Sequence, residues 1–212
     1  MQRRINLADR ELAIGQMAVS RETLERLDAF VGLLAAWSRI TDLISDAAWP
    51  TLWTRHIADS AQLLALAPTA QTWLDIGSGA GFPGLIVAIL VADQPDAKVK
   101  LVESDKRKAA FLSEAARALS LPIAVQGVRA ERAINESTAA PDIVTARALA
   151  PLSRLLQMTG PLISKGAIAL FLKGKNLQNE LTPEIASDRF LFETIPSRTS
   201  ADGHILRVRR KP

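Results

Sequence analysis

The chain has 212 residues, a formal charge of +4 and a pI near 9.8, which permits a polyanionic partner without demanding one. Its lack of cysteine excludes disulfides, thiolate metal sites and cysteine nucleophiles and fits a cytoplasmic protein, and with His56 and His204 as the only histidines no metal is expected. Hydrophobic residues make up 48%, enough for a sizeable core, yet no apolar run reaches the ~18 residues of a membrane span, and the polar start (Gln2, Arg3, Arg4, Asn6) lacks a signal-peptide core.

Residues 1–68 carry no strand signal. Ser20 is a plausible N-cap, and Leu24, Leu27, Val31 and Leu34 follow at helical spacing, with Phe30, Leu33 and Trp37 widening the apolar face. This predicts a helical N-terminal extension packed on the core, with residues 69–212 forming the main domain. Pro50 is expected to start a second helix, with Leu52, Ile57, Leu63 and Leu64 inward. Within it, Arg55 and Asp59 are i,i+4 neighbours and His56 and Asp59 are i,i+3 neighbours. Spacing alone favours a surface ion pair there.

From Thr72 onward strands and helices alternate. Strands are predicted at 73–76, 99–102, 123–126, 142–145 and 167–172, then as a final antiparallel pair at 190–195 and 204–209 around an Asp202-Gly203 turn. Helices are predicted after Pro83, over 105–119, after Arg129, after Pro151 and over 177–186. Five βα steps and a closing hairpin give a seven-stranded, mostly parallel α/β sheet. In such sheets the ligand lies beyond the C-terminal strand ends. Asp75, the glycine loop, Glu103, Ala130, Glu131, Arg147 and Lys173 all fall there.

The richest stretch is Thr72-Trp-Leu-Asp75-Ile-Gly77-Ser-Gly79-Ala-Gly81-Phe-Pro-Gly84. A strand that enters a glycine-rich turn and opens a helix lets a nucleotide approach the backbone closely. Two ligands compete for it. Gly79-x-Gly81-x-x-Gly84 matches the dinucleotide pattern of an NAD-dependent oxidoreductase. Asp75-x-Gly77-x-Gly79-x-Gly81 looks like the first motif of class I S-adenosylmethionine-dependent methyltransferases. Glu103, closing the second strand, suits the ribose hydroxyls in either case. A non-catalytic nucleotide-binding module is a third reading. After the fifth strand only sheet-completing strands remain and no separate substrate domain, which favours the methyltransferase.

The residues also resemble a family, the glucose-inhibited division protein B family of bacterial small-subunit ribosomal RNA guanine-N7 methyltransferases. The resemblance rests on Arg55-His56-Ile57-x-Asp59-Ser60, the glycine loop with Pro83 and Gly84, Lys106-Arg107-Lys108 before Phe111-Leu112, Arg147-Ala148, Leu172-Lys173-Gly174 and His204. It covers nearly the whole chain. Where the family tends to have Trp-Asn-x-x-x-Asn-Leu, this chain keeps Trp37 and Leu43 but has Ser38 and Asp42.

The resemblance implies a class I methyltransferase fold, S-adenosyl-L-methionine as cofactor and N7 of a guanine in a 16S ribosomal RNA loop as acceptor. The free RNA or a small-subunit assembly particle would be the partner, and a monomer is expected. Cofactor contacts carried over are Gly77, Phe82, Ala130, Glu131 and Arg147; the loop pattern adds Asp75, Gly79 and Gly81, and the strand end adds Glu103. Arg55, His56, Asp59, Ser60 and Lys173 are implied at the mouth of the site, with Lys173 and Arg147 as catalytic candidates. Phe82 is poised either to stack on a base or to pack in the core. Guanine N7 carries a free lone pair, so its methylation needs no general base and depends on positioning. Arg147 suits the guanine O6 edge or the cofactor. Arg207 and Arg209, with Arg210, Lys211, Arg3, Arg4, Arg129 and Arg132, are candidate phosphate contacts.

Overall fold

The computed structural model describes residues 6–182 and 189–212. One seven-stranded sheet runs in the order β3-β2-β1-β4-β5-β7-β6. Strands β1 (Thr72–Ile76), β2 (Lys98–Val102), β3 (Ala124–Gln126), β4 (Ile143–Arg147) and β5 (Ile168–Lys173) are parallel. Strands β6 (Phe190–Pro196) and β7 (His204–Arg210) form the antiparallel edge, with His204 beside Lys173. Chain order reverses between β1 and β4, which places a ligand crevice at their C-terminal ends.

Both faces of the sheet are buried, as a parallel sheet requires. Trp73, Val99, Leu101, Leu170 and Leu172 enter one apolar cluster, and Leu74, Ile76, Val102, Ala169 and Phe171 enter the other. The first cluster is covered by α2 (Arg21–Trp37), α5 (Gly84–Leu90) and α6 (Lys106–Ala118), through Leu27, Phe30, Leu34, Leu85, Ile89, Phe111 and Leu112. The N-terminal segment therefore shares its core with the sheet. The second cluster is covered by α7 (Ala130–Asn135) and α8 (Leu152–Ser164). No helix among the described residues is long and apolar enough to cross a membrane.

Local chemistry sets the helix starts. Ser20 Oγ accepts the Thr23 amide at 3.1 Å, and Asp105 Oδ1 accepts the amides of Arg107 at 2.8 Å and Lys108 at 3.1 Å. A short helix α1 (Leu7–Gly15), capped by Asn6, was not expected from the sequence. Its Asp9 is buried and accepts the Trp53 amide at 2.8 Å and the Thr54 amide at 3.4 Å.

A second departure from expectation lies beside that contact. Pro50 starts no α-helix; it lies inside a 3₁₀ turn, Asp46–Thr51, and the next regular stretch is a π-helical turn, Trp53–Ala58. Asp9 accepts two amides at the start of that turn, as an N-cap would. The wide turn runs on into α3 (Asp59–Ala61) and α4 (Leu63–Leu66). The helix expected over 177–186 is the single turn α9 (Leu177–Glu180); residues 183–186 of that expectation, like Arg3 and Arg4, lie outside the described residues.

The glycine loop is fixed by two close approaches. Gly77 has φ +68°, and a Cβ there would stand 2.5 Å from Leu149 Cδ1. Pro83 sits one residue before α5, and a Cβ on the following Gly84 would stand 2.4 Å from Asp75 Cβ and 2.5 Å from Leu101 Cδ2. Gly84→Ala should thus cost about 1–3 kcal/mol or more in urea unfolding, because the loop base cannot yield. Gly32→Ala, in α2 with nothing within 4 Å, should stabilise by up to about 1 kcal/mol. Equal midpoints for the two variants would contradict this packing.

Candidate active site

The site is built upward from Asp75. Its carboxylate is 1% exposed, accepting the Thr145 hydroxyl at 2.7 Å and the Gly84 amide at 3.2 Å. Ser78 Oγ returns to the Asp75 carbonyl at 3.1 Å. Burial pushes the Asp75 carboxyl up to about 6, against hydrogen bonds from Thr145, Ser78 and Gly84 that pull it down. Asp75 ties β1 to β4 and to the start of α5, and it underpins the loop instead of lining a cavity. The direct cofactor contact expected of it is corrected accordingly.

Above the loop lies a cavity of about 300 Å³, lined by Gly77, Glu103, Ala130, Glu131, Leu149 and Met158 among others. Glu103 Oε2 accepts the Gly79 amide at 2.9 Å, and Oε1 accepts the Asp105 amide at 2.7 Å. A carboxylate oxygen has two lone pairs, so each retains one acceptor position. Glu131 is paired with Arg154.

A larger cavity, about 890 Å³, adjoins it along Leu149 and Ala150, which line both. Arg55, Asp59, Arg147, Lys173, Glu180 and Asp202 border it. Arg147, the last residue of β4, donates from Nη2 to the Arg55 carbonyl at 2.8 Å, and its Nη1 stands 3.9 Å from Asp59. That Nη1 is buried without a hydrogen-bond partner. Burial draws the guanidinium below its ordinary value, partly offset by Asp59. The expected Arg55–Asp59 pair is replaced: Asp59 meets Arg147, and its Oδ1 accepts from Gln62, Ser197 and Thr199 at 2.7, 2.7 and 2.8 Å.

Lys173 is not free. Its ammonium lies 2.7 and 3.0 Å from the two oxygens of Glu180 and 3.3 Å from the Ala150 carbonyl. Glu180 also accepts the Leu152 amide at the head of α8. The pair thus clamps the loop that carries Leu149. In that loop Ala148 has φ +50°, a left-handed conformation costing a residue with a Cβ on the order of 1 kcal/mol.

Other expected contacts lie elsewhere. Phe82 is 7% exposed and packs between Phe30, at a centroid distance of 5.7 Å, and His56, at 5.0 Å; this is the core alternative. Gly81 faces Leu85 and Leu112, not a cavity. Ser60 is fully buried and donates to the His56 carbonyl. His56 lines neither cavity. Because β7 is antiparallel it runs away from the site: Arg207 pairs with Glu193 and donates to the Leu66 carbonyl, and Arg209 lies past the Ala169–Val208 register at the opposite edge. Sequence reasoning missed Leu149, Glu180, Ser197 and Thr199. Their roles depend on cross-chain contacts, and only the hairpin position of the last two hinted at the site.

A doubly flanked sheet in this order, with a glycine loop at the switch point and an acidic residue closing β2, defines the class I methyltransferase fold. Solved structures agree: the chain is similar to a rRNA methylase from Streptococcus thermophilus (TM-score 0.54, 12% identity, 69% of this chain and 92% of that one). It is likewise similar to a mutant MtNAS in complex with S-adenosylmethionine (TM-score 0.58, 16% identity, 88% and 75% covered). Residues 23–199 match the family described as GidB, rRNA small subunit methyltransferase G. Relatives named ribosomal RNA small subunit methyltransferase G include one from Methylobacterium sp. (strain 4-46), 48% identical over 95% of both chains. Another, from Parvibaculum lavamentivorans, is 47% identical over 90% of this chain and 84% of its own. The chain belongs to the small-subunit rRNA methyltransferase G family, and the dinucleotide reading of its glycine loop falls away.

His56 supplies a pH test of the wall beneath the larger cavity. Burial, then the charges of Arg147 and Arg55, lower its pKa to about 3. The unfolded chain takes up that proton near pH 6.5, so the contribution is present above 6.5 and lost as pH falls toward 3. Stability should drop by up to about 1.4 kcal/mol per pH unit below roughly pH 6. His56→Gln should flatten the fall between pH 7 and pH 5 in chemical unfolding; parallel curves would show that His56 is not held neutral.

Proposed function

We infer that this chain transfers the methyl group of S-adenosylmethionine to guanine N7 in a loop of 16S ribosomal RNA, acting as a monomer in the cytoplasm on the RNA or on a small-subunit assembly particle. The observation that carries the reading is the pair of adjoining cavities at the sheet's switch point, one lined by Glu103 and Gly77, the other by Arg147 and Asp59. Family membership supplies the reaction; the cavities suggest how its two reactants are kept apart and then brought together.

The smaller cavity suits an adenosyl group. Gly77 leaves the floor open where a Cβ would strike Leu149, and Val102, Val128 and Met158 offer apolar walls. Glu103 has acceptor positions left for ribose hydroxyls, and Ala130 and Glu131 close the far side. When bound, S-adenosylmethionine supplies a methyl group on a positively charged sulfur. The chain's own task is orientation and exclusion of water.

The larger cavity takes the base. Guanine N7 attacks with a lone pair that carries no proton, so no residue need act as a base. Arg147 has an unfilled donor, Nη1, suited to guanine O6 while N7 stays free. Arg55, exposed at the rim, meets the adjoining nucleotide. Lys173 acts through Glu180 and the Ala150 carbonyl, steadying the loop between the cavities, and Asp59 steadies Arg147. Alignment of this kind accelerates a two-reactant step without any proton transfer.

Two variants separate the cavities. Glu103→Gln should weaken S-adenosylmethionine binding by roughly ten- to hundredfold in calorimetry, the equivalent of about 1.5–3 kcal/mol of charge-assisted hydrogen bonding. Arg147→Ala should lower single-turnover methylation at saturating RNA and cofactor by roughly tenfold or more, because a small misplacement of reacting atoms is costly. Tight NAD binding by the wild type with none of S-adenosylmethionine would reject the reading as a whole. A normal single-turnover rate in Arg147→Ala would reject the role given to Arg147.

A further inference from the structure

A third cavity, about 500 Å³, opens where the end of α2 meets the start of α6. Ser38, Arg39, Ile40, Thr41 and Asp42 form one wall, and Asp105, Arg107 and Lys108 form the other. This is the stretch in which the chain departs from the family pattern, and nothing in the reaction described above uses it.

The walls are joined rigidly. Trp37 packs on Phe111 at a centroid distance of 5.8 Å, which fixes the end of α2 against α6. The cavity also borders the reaction site. Glu103 belongs to the cofactor cavity, its carboxylate holds the Asp105 amide at 2.7 Å, and Asp105 lines this third cavity.

Two independent observations point to an anion. First, Arg39, Arg107 and Lys108 all line it, and none makes an ion pair among the described residues. Second, Ser38 is 3% exposed and lines the cavity, and its hydroxyl is buried without a hydrogen-bond partner. A buried hydroxyl is normally satisfied by protein, water or ligand. The carboxylates present do not cancel the cations. Asp105 is already committed to the Arg107 and Lys108 amides at 2.8 and 3.1 Å, and Asp42 leaves three cations against two acids. Because the cap occupies those amides, side chains and not the helix dipole provide the donors.

We propose that the cleft between Ser38–Asp42 and the first turn of α6 is a binding site for a backbone phosphate of the RNA substrate, held by Arg39, Arg107, Lys108 and the Ser38 hydroxyl, next to the methyl-transfer site. It rests on the RNA substrate inferred above. It also moves phosphate recognition from the β7 arginines, which lie at the wrong edge of the sheet, to the edge that carries the cavities. A phosphate contact fixes the register of the nucleic acid and leaves sequence reading to the base cavity.

The test measures binding of 16S ribosomal RNA, isolated from cells lacking this methylation, at several salt concentrations, with inorganic phosphate as a separate titrant. The double variant Arg39→Ala, Arg107→Ala should lower the slope of log affinity against log salt by roughly 1.4–1.8, about 0.7–0.9 per lost contact, while S-adenosylmethionine affinity stays unchanged. Ser38→Ala should weaken RNA binding several-fold with the same slope, since it removes a hydrogen bond and no charge. Should the double variant misfold, Arg107→Gln with Lys108→Gln, an exposed and a half-buried residue of the first turn of α6, takes its place with the same expected slope change. An unchanged slope in a folded variant overturns the proposal, as does a slope change accompanied by loss of cofactor affinity. Saturation by millimolar inorganic phosphate with no effect of the variants on RNA binding also overturns it, leaving a free-phosphate site. Wild-type protein that binds no RNA would instead sink the substrate reading, and its methylation activity reports that separately.

Discussion

The buried carboxylate of Asp75 is the constraint on which the site depends. One side chain, closed to water, joins the end of β1, the Thr145 hydroxyl of β4 and the first amide of α5. A group in that position must be fully hydrogen-bonded or it destabilises the fold. Its partners are therefore not free to drift. The loop above inherits their positions, and Gly84 has no room for even one extra carbon against Asp75. The acid before the first glycine is thus needed for the shape of the loop, whatever the loop then binds.

A second layer of fixed contacts sits on this base. Glu103 draws the Gly79 amide and the Asp105 amide to one carboxylate, so the glycine loop and the start of α6 move together. Glu180 does the same for Lys173 and the head of α8, and Asp59 for Arg147 and the 197–203 loop. In each case an acid gathers groups from segments remote in sequence. The strained Ala148 backbone is held between two of these acids. A reaction that depends on alignment benefits from such rigidity.

Much of the fold was legible in the sequence. Short apolar stretches alternating with helices placed all seven strands to within a few residues, and Ser20 and Asp105 marked helix starts that the structure retains. The N-terminal segment was read less well. The start of its π-helical turn is held by Asp9, a residue more than forty positions away, and no local preference of Pro50 reveals that contact. The site divided along the same line. Gly77, Glu103, Ala130, Glu131, Arg147 and Lys173 line one or other of the two cavities, as expected where strand ends in an open parallel sheet converge. Phe82, Ser60 and Arg207 were misplaced because spacing does not tell which side of a loop, helix or strand faces a ligand; that is decided by what packs behind. Phe30 decided it for Phe82, and the antiparallel course of β7 decided it for Arg209.

The hairpin that closes the sheet has a consequence for the order in which the molecule is made. Every residue lining the smaller cavity lies between Gly77 and Met158, so that cavity is encoded well before synthesis ends. The larger cavity needs Ser200, Asp202 and Gly203, and Asp59 waits for Ser197 and Thr199 to engage it. Until that hairpin leaves the ribosome, β5 is also an open edge, with unpaired amides and carbonyls. Chains fold from the N-terminal side as they emerge. A nascent chain therefore completes its smaller cavity first and its larger cavity last.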